Sequence, residues 1–161
     1  MQAPVVRRPA VAGRFYPSNP QVLVRDLETY LGEAAAGADP KGQTLSGALA
    51  CIVPHAGYMY SGHVAGAVYR VLPRCSAYII LAPNHFGRGS PLAIMSSGGW
   101  LTPLGEAPID AALARSVAHA CHLLAEDASA HAGEHSLEVQ LPFLQHLVKP
   151  FSFVPISIAA G

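Results

Sequence analysis

Charge is what this sequence has least of. Only 12% of its 161 residues are Asp, Glu, Lys or Arg, and the formal net charge is zero with the histidines neutral. No global basic field recruits nucleic acid, and no acidic one recruits basic partners. Cysteine is scarce too: Cys51, Cys75 and Cys121 are odd in number and widely spaced. That disfavours a disulfide framework and predicts buried free thiols in a reducing compartment, with the cytoplasm as the default. No apolar run approaches the ~18 residues of a membrane span, and no apolar core of a secretion signal follows Arg7 and Arg8, so neither membrane insertion nor secretion is expected. A G-x-S-x-G elbow, a Walker-type loop, C-x-x-C and H-E-x-x-H are also missing, which argues against the common hydrolase, nucleotide-binding and zincin chemistries. There is no repeat, low-complexity tract or convincing interdomain linker.

What remains is a chain that is 51% hydrophobic, ample for the core of one domain. Its organising stretch is Leu49-Ala50-Cys51-Ile52-Val53-Pro54-His55, an apolar run that ends in proline and a histidine. A near copy follows at Tyr78-Ile79-Ile80-Leu81-Ala82-Pro83-Asn84-His85. Between them, residues 62–72 place Val64, Val68 and Val71/Leu72 at helical spacing. The unit reads as strand, helix, parallel strand, so His55 and His85 are expected at the carboxyl ends of neighbouring strands, where open α/β sheets bind ligands.

Elsewhere, residues 1–17 read as a docked irregular arm that must hide Phe15 and Tyr16. A helix over residues 20–36 starts from Ser18-Asn19-Pro20 and carries Leu23, Leu27, Tyr30, Leu31 and Ala34 on one stripe. Residues 37–47 read as a surface loop. Residues 92–96 and 100–104 read as an antiparallel pair joined by a turn at Ser97-Gly98-Gly99, making the sheet mixed. Pro108 and Asp110 open a helix with a stripe at Leu113, Val117, Cys121 and Leu124; a loop fills 126–133. Residues 134–148 read as a helix that Pro142 starts or kinks, and 151–158 as a final strand.

Two strand-end histidines suit metal ligation, acid/base work, or plain loop packing, and metal is the better chemical reading. Paired imidazoles bind iron, copper or zinc but leave the coordination shell incomplete. Glu134, His135 and Glu138 open the last predicted helix, so two carboxylates and an imidazole can point together; capping is the competing role for Glu134. Tyr58, Tyr60 and Asn84 flank the histidines as pocket-lining candidates, with packing as the alternative for the tyrosines. His119 and His122, three apart, read as a solvated helix face, and His63, His131 and His146 carry weaker signals.

Five ordered segments run along the chain: residues 8–17 (Arg-Pro-Ala-Val-Ala-Gly-Arg-Phe-Tyr-Pro), 54–62 (Pro-His-Ala-Gly-Tyr-Met-Tyr-Ser-Gly), 81–85 (Leu-Ala-Pro-Asn-His), 102–105 (Thr-Pro-Leu-Gly) and 134–142 (Glu-His-Ser-Leu-Glu-Val-Gln-Leu-Pro). Together they resemble the Memo family, in bacteria and archaea the AmmeMemoRadiSam system protein B group. The resemblance implies a three-layer α/β fold with a mixed, mostly parallel sheet, like that of the class III extradiol (LigB-like) ring-cleaving dioxygenases. It carries metal binding onto His55 and His85, with iron or copper ahead of zinc, and implies either a metal-dependent oxidoreductase or a non-catalytic peptide- or protein-binding module using the same crevice. A small molecule or peptide is the implied crevice ligand, and radical-SAM and AMMECR-type proteins are the implied partners; neither nucleic acid nor membrane is expected. Family members continue beyond the point matching residue 161, so the chain is expected to be the larger, N-terminal part of a single Memo-like domain. Weak metal binding, no turnover, an exposed sheet edge and an oligomer covering it would follow.

Overall fold

The computed structural model describes residues 5–32, 45 and 47–159. The elements, in order, are β1 (Val6–Arg7), α1 (Pro20–Leu31), α2 (Tyr58–Val71), β2 (Ala77–Pro83), β3 (Leu92–Ile94), β4 (Gly99–Thr102), β5 (Gly105–Pro108), α3 (Ala111–Ala120), β6 (Ala125–Glu126), α4 (Ser129–Ala132), α5 (Leu141–Leu147) and β7 (Ser152–Ile158). The architecture is α/β with mixed sheets flanked by helices. One sheet has the order β2-β7-β3-β6, the other β1-β4-β5. β2 runs parallel to β7 in unbroken register from Ala77↔Ser152 to Pro83↔Ile158, β7 is antiparallel to β3, and β3 is parallel to β6.

α1 begins where Asn19 accepts a hydrogen bond from Val22 N–H at 3.0 Å, with Pro20 in the first turn. Leu23, Leu27 and Leu31 recur every four residues and are fully buried, each contributing about 1.5–3 kcal/mol of hydrophobic stabilisation. The helix stops at Leu31 because Gly32 turns the chain at φ 73°; the predicted continuation to residue 36 and nearly all of the 37–47 loop lie outside the described residues. α2 packs on α1 through small residues. A Cβ on Gly66 would lie 2.2 Å from the Tyr30 carbonyl oxygen, and one on Gly62 2.8 Å from the Tyr30 ring. The buried face is therefore Tyr58, Ser61, Gly62, Ala65, Gly66 and Tyr69, whereas Val64 is 59% exposed. This corrects the valine stripe and starts the helix four residues earlier, because close helix packing selected glycine where hydrophobic spacing pointed to valine.

Three other expectations are corrected. Residues 48–55 form no strand, so His55 follows an irregular segment with Leu49 and Ile52 exposed, and the neighbour of β2 is β7. The hairpin falls one step later than predicted. Gly98, at φ 94° and where a Cβ would lie 2.0 Å from the Val5 carbonyl oxygen, sends the chain into the other sheet, and β4 turns back on β5 through Pro103 and Leu104, where Thr102 Oγ1 accepts from Leu104 N–H at 3.0 Å and Gly105 takes φ 110°. Residues 134–137 form a turn and Glu138–Gln140 a single 3₁₀ turn, so the last helix begins only at Leu141, with Pro142 in its first turn. Two smaller differences concern cysteine and the 126–133 loop: Cys51 and Cys75 are free but exposed, and the loop is interrupted by α4.

The N-terminal arm is fastened by one carboxylate. Glu138 is fully buried and accepts from Arg7 Nη1 at 2.7 Å, Ala10 N–H at 2.8 Å, Val11 N–H at 3.1 Å and Tyr16 O–H at 2.6 Å. Arg7 also donates to the carbonyls of His131 and Glu134 and lies 4.1 Å from the centre of the Trp100 ring. Four donors around one anion compensate its desolvation, which a buried charge requires.

Candidate metal centre

Three chain segments converge just beyond the carboxyl end of β2. The first delivers His55. Its backbone is held by Gln140, whose Nε2 donates to the Pro54 carbonyl at 3.1 Å while its Oε1 accepts from Tyr69 O–H at 2.9 Å. The second delivers His85, one residue past Asn84. Asn84 is buried; it donates through Nδ2 to the Arg88 carbonyl at 2.7 Å and accepts from Phe86 N–H at 3.2 Å, shaping the loop that displays the histidine. The third is the turn at 134–137. Ser136 Oγ donates to the Pro83 carbonyl at 2.7 Å, pinning that turn to the end of β2.

The result is a cluster of imidazoles. His55, His85 and His135 each offer a ring nitrogen, and these atoms all lie within 4.8 Å of one another. The His85 and His135 rings are stacked, 4.6 Å between centroids at 18°, and His55 lies 5.1 Å and 6.0 Å from them. Phe15 packs against His135 at 4.6 Å, which makes the arm a wall of the site.

Glu134 organises the cluster. Its Oε1 accepts from His85 Nδ1 at 3.0 Å and from the N–H groups of His135 and Ser136, its Oε2 accepts from His85 N–H at 2.7 Å, and His135 Nδ1 lies 3.1 Å from Oε1. Burial alone would raise this carboxyl, but the hydrogen bonds from His85, Ser136 and His135 overcome it and hold it at about 2. A permanently ionised acceptor at Nδ1 fixes the proton there and leaves Nε2 with its lone pair free, the usual support for a metal-ligating histidine. Burial, together with the neighbouring His85, lowers the pKa of His55; burial also lowers that of His135 against the opposing pull of Glu134. Both therefore favour the neutral, ligating form. A donor set of imidazoles alone suits iron, copper or zinc and not magnesium or calcium. The carboxylate is committed to N–H donors and is a support, not a ligand.

The other sequence candidates fall in different places. Tyr58 is buried, donating to the Val139 carbonyl at 2.7 Å and packing on Phe143. Tyr60 is 79% exposed and, with Arg14, Phe15 and Met59, lines a separate cavity of about 350 Å³. Glu138 faces the arm and not the cluster, because no continuous helix carries it on the same face as Glu134. His119 is on α3 and His122 beyond its end, both exposed, and His131 is buried against Trp100. Reading the sequence placed His135 only in the lining and did not single out Gln140, Ser136 or Arg7; the dense polar run Glu134-His135-Ser136-Leu137-Glu138-Val139-Gln140 is the signal that held all but Arg7.

A mixed-sheet α/β protein with three histidines gathered at the end of a strand, two of them held by one carboxylate, is the class that this fold and site define. A family model described as Memo-like protein matches residues 7–161. The chain is 44% identical over 153 residues to a MEMO1 family protein of Archaeoglobus fulgidus, covering 95% of this chain and 54% of that one. It is 44% identical over 162 residues to one of Methanopyrus kandleri, covering 95% and 56%, and 39% identical over 158 residues to one of Methanothermobacter thermautotrophicus, covering 96% and 57%. The chain belongs to the Memo family, and it spans a little over half the length of these relatives.

Proposed function

We propose that this chain binds a redox-active transition metal, iron or copper, through His55, His85 and His135, and that the site serves an oxidoreductase related to the ring-cleaving dioxygenases. The observation that carries the reading is the set of three imidazole nitrogens within 4.8 Å, with one buried carboxylate against two of the rings. A bound ion of this kind supplies Lewis-acid and one-electron chemistry at positions left open for a small molecule. The chain's own part is to hold and orient. Glu134 fixes the His85 ring and holds the backbone of His135, Gln140 fixes the His55 loop, and Phe15 shields one side, while the His85 side chain, 39% exposed, keeps access for a ligand. Three imidazoles make a fuller shell than the two expected from the sequence. The free thiols of Cys51, Cys75 and Cys121 accord with a reducing, cytoplasmic setting, and no helix among the described residues is long and apolar enough to cross a membrane.

A second reading rests on a different observation. The cavity beside Tyr60 and Met59, whose side chains are 79% and 78% exposed, has the aromatic and apolar character of a peptide-binding surface. Anaerobic calorimetric titration with Fe(II), Cu(II) and Zn(II), followed by oxygen-consumption assays with catechols, separates the two. One-to-one binding lost in the His55→Ala, His85→Ala double variant, with oxygen uptake, supports the oxidoreductase. Metal binding without turnover, together with peptide affinity lost in Tyr60→Ala, supports the binding module. Metal affinity that survives the double substitution refutes the site.

A further inference from the structure

Of the six tyrosines in the chain, Tyr16 has a partner of a different kind. It is 3% exposed, and its O–H donates to Glu138 Oε1 at 2.6 Å, within the range of about 2.5–2.7 Å typical of a hydrogen bond from a hydroxyl to an anion. The other described phenol bonds end on amide oxygens: Tyr58 on the Val139 carbonyl, Tyr69 on Gln140 Oε1 and Tyr78 on the Pro73 carbonyl. A carboxylate can take up a proton, whereas an amide oxygen only accepts a hydrogen bond. Trp100, the one tryptophan, is the natural competitor for losing an electron. The Arg7 guanidinium lies 4.1 Å from its ring centre and its buried Nε1 has no acceptor, so neither its radical cation nor its neutral radical is favoured. Tyr16 also lies on a path. Its neighbour Phe15 packs on His135 at 4.6 Å, and on the other side the Tyr58 and Tyr30 rings follow at 5.5 Å and then 5.9 Å, with Tyr30 half-buried.

We propose that Tyr16 is a redox-active residue, which gives one electron to an oxidant at the histidine cluster while its phenolic proton passes to Glu138. The role rests on the reading of that cluster as a redox-active metal centre: the oxidant is the metal in its higher oxidation state, and Tyr16 returns an electron to it when no substrate does. The step balances. One electron leaves the phenol ring and reduces the oxidant by one, the O–H bond breaks, and its proton moves along the existing hydrogen bond to Oε1. A neutral tyrosyl radical is left beside a neutral carboxyl, and an external one-electron reductant reaching the half-buried Tyr30 reverses the step through Tyr58. Burial, and then the Glu138 charge, push the Tyr16 phenol up, so it holds its proton at rest and releases it only with the electron. Arg7 donates to Glu138 Oε2 and to the carbonyls of His131 and Glu134, and a proton on Oε1 leaves all three acceptors in place, so the arm stays fastened through the step. Burial of the ring keeps the radical away from solvent.

The test has a metal-free arm and a metal-loaded one. The metal-free chain is oxidised by a flash-generated ruthenium(III) polypyridyl complex, and the radical is read by transient absorption and by electron paramagnetic resonance of freeze-quenched samples. A long-lived neutral tyrosyl signal is expected, forming more slowly in D₂O because a proton moves with the electron. Tyr16→Phe leaves Glu138 its three other donors and is expected to lower that signal at least about tenfold, the factor that one bond to a charged partner supplies. A signal that survives Tyr16→Phe, or that forms equally fast in the parent chain in D₂O, overturns the proposal, and this arm reads out whether or not the histidines hold a metal. The chain loaded with one equivalent of Fe(II) or Cu(II) is then treated with hydrogen peroxide. The same signal is expected, lost in Tyr16→Phe and in the His55→Ala, His85→Ala double variant, although that double variant still gives it in the metal-free arm. Metal bound at the cluster without a Tyr16 signal after peroxide overturns Tyr16 as its electron donor. Failure to bind metal overturns the proposed function instead, and the metal-free arm still decides whether Tyr16 and Glu138 transfer an electron and a proton together.

Discussion

Replacing Glu134 by glutamine removes one charge and one acceptor from the centre of the histidine cluster. The carboxylate receives N–H groups from His85, His135 and Ser136 and the Nδ1 of His85, all at 2.7–3.0 Å. Glutamine has one acceptor oxygen. If that oxygen takes the place of Oε1, its NH₂ faces the His85 N–H donor to donor, leaving a partly buried N–H unpaired at a cost of about 1–3 kcal/mol. The bonds that remain lose the charge assistance that roughly doubles their strength. The His85 ring then loses its fixed tautomer, and loss of such a support typically weakens metal affinity about 10–100-fold, or about 1.4–2.8 kcal/mol. Urea unfolding without metal reads the first effect, and competitive titration against a chromophoric chelator reads the second. The pH dependence follows the same group: its carboxyl is held at about 2 against an ordinary 4.5, so its contribution is full above 4.5 and is lost as pH falls toward 2, a loss the glutamine variant does not show. A variant that unfolds more easily yet binds metal within about twofold of the parent would refute the claim that Glu134 orients the ligands.

Glu138→Ala leaves Arg7 buried without its anion, and a loss of about 3–5 kcal/mol is expected; denaturant unfolding measures it, and limited proteolysis should release residues 5–17, whereas an arm that stays protected contradicts the clamp. Burial, and then the Arg7 guanidinium, hold His131 at about 4 against an ordinary 6.5, so the unfolded chain binds its proton first. Stability is full above 6.5 and falls by about 3 kcal/mol as pH drops through 4; thermal unfolding at pH 7.5 and 4.5 should show a smaller difference in His131→Gln. Gly66→Ala gains about 1 kcal/mol of helix propensity, but its Cβ meets the Tyr30 carbonyl oxygen at 2.2 Å. Backbone cannot yield as a flexible side chain does, so a net loss of about 1–3 kcal/mol is expected, and a raised melting temperature would contradict it.

Much of the fold was legible because local signals decided it. Asn19-Pro20 and the Leu23/Leu27/Leu31 spacing defined the start and buried face of α1, and the Tyr78-to-Ala82 run defined β2. Both depend on residues next to one another in sequence. The buried face of α2 was not legible, because glycines at 62 and 66 are chosen by how closely Tyr30 approaches from another helix. Leu49-to-Val53 has strand composition but no partner among the described residues, and a strand exists only when a ladder forms. In the site, proline-ended runs announced His55 and His85. The third imidazole was hidden by the assumption that 134–148 is one helix: placed in a turn, Glu134 folds back onto His85 and brings His135 with it, while Glu138 turns to the arm. The distant pairing of Arg7 with Glu138 has no local signature at all.

X-ray absorption spectroscopy of the chain loaded with one equivalent of Fe(II) or Cu(II) under anaerobic conditions tests the central claim most directly. Three imidazole nitrogens at about 2.0–2.1 Å, with multiple-scattering features reduced by one ring in each of His55→Ala, His85→Ala and His135→Ala, are the predicted result. A shell made of oxygen or sulfur donors, or one unchanged by all three substitutions, would contradict it.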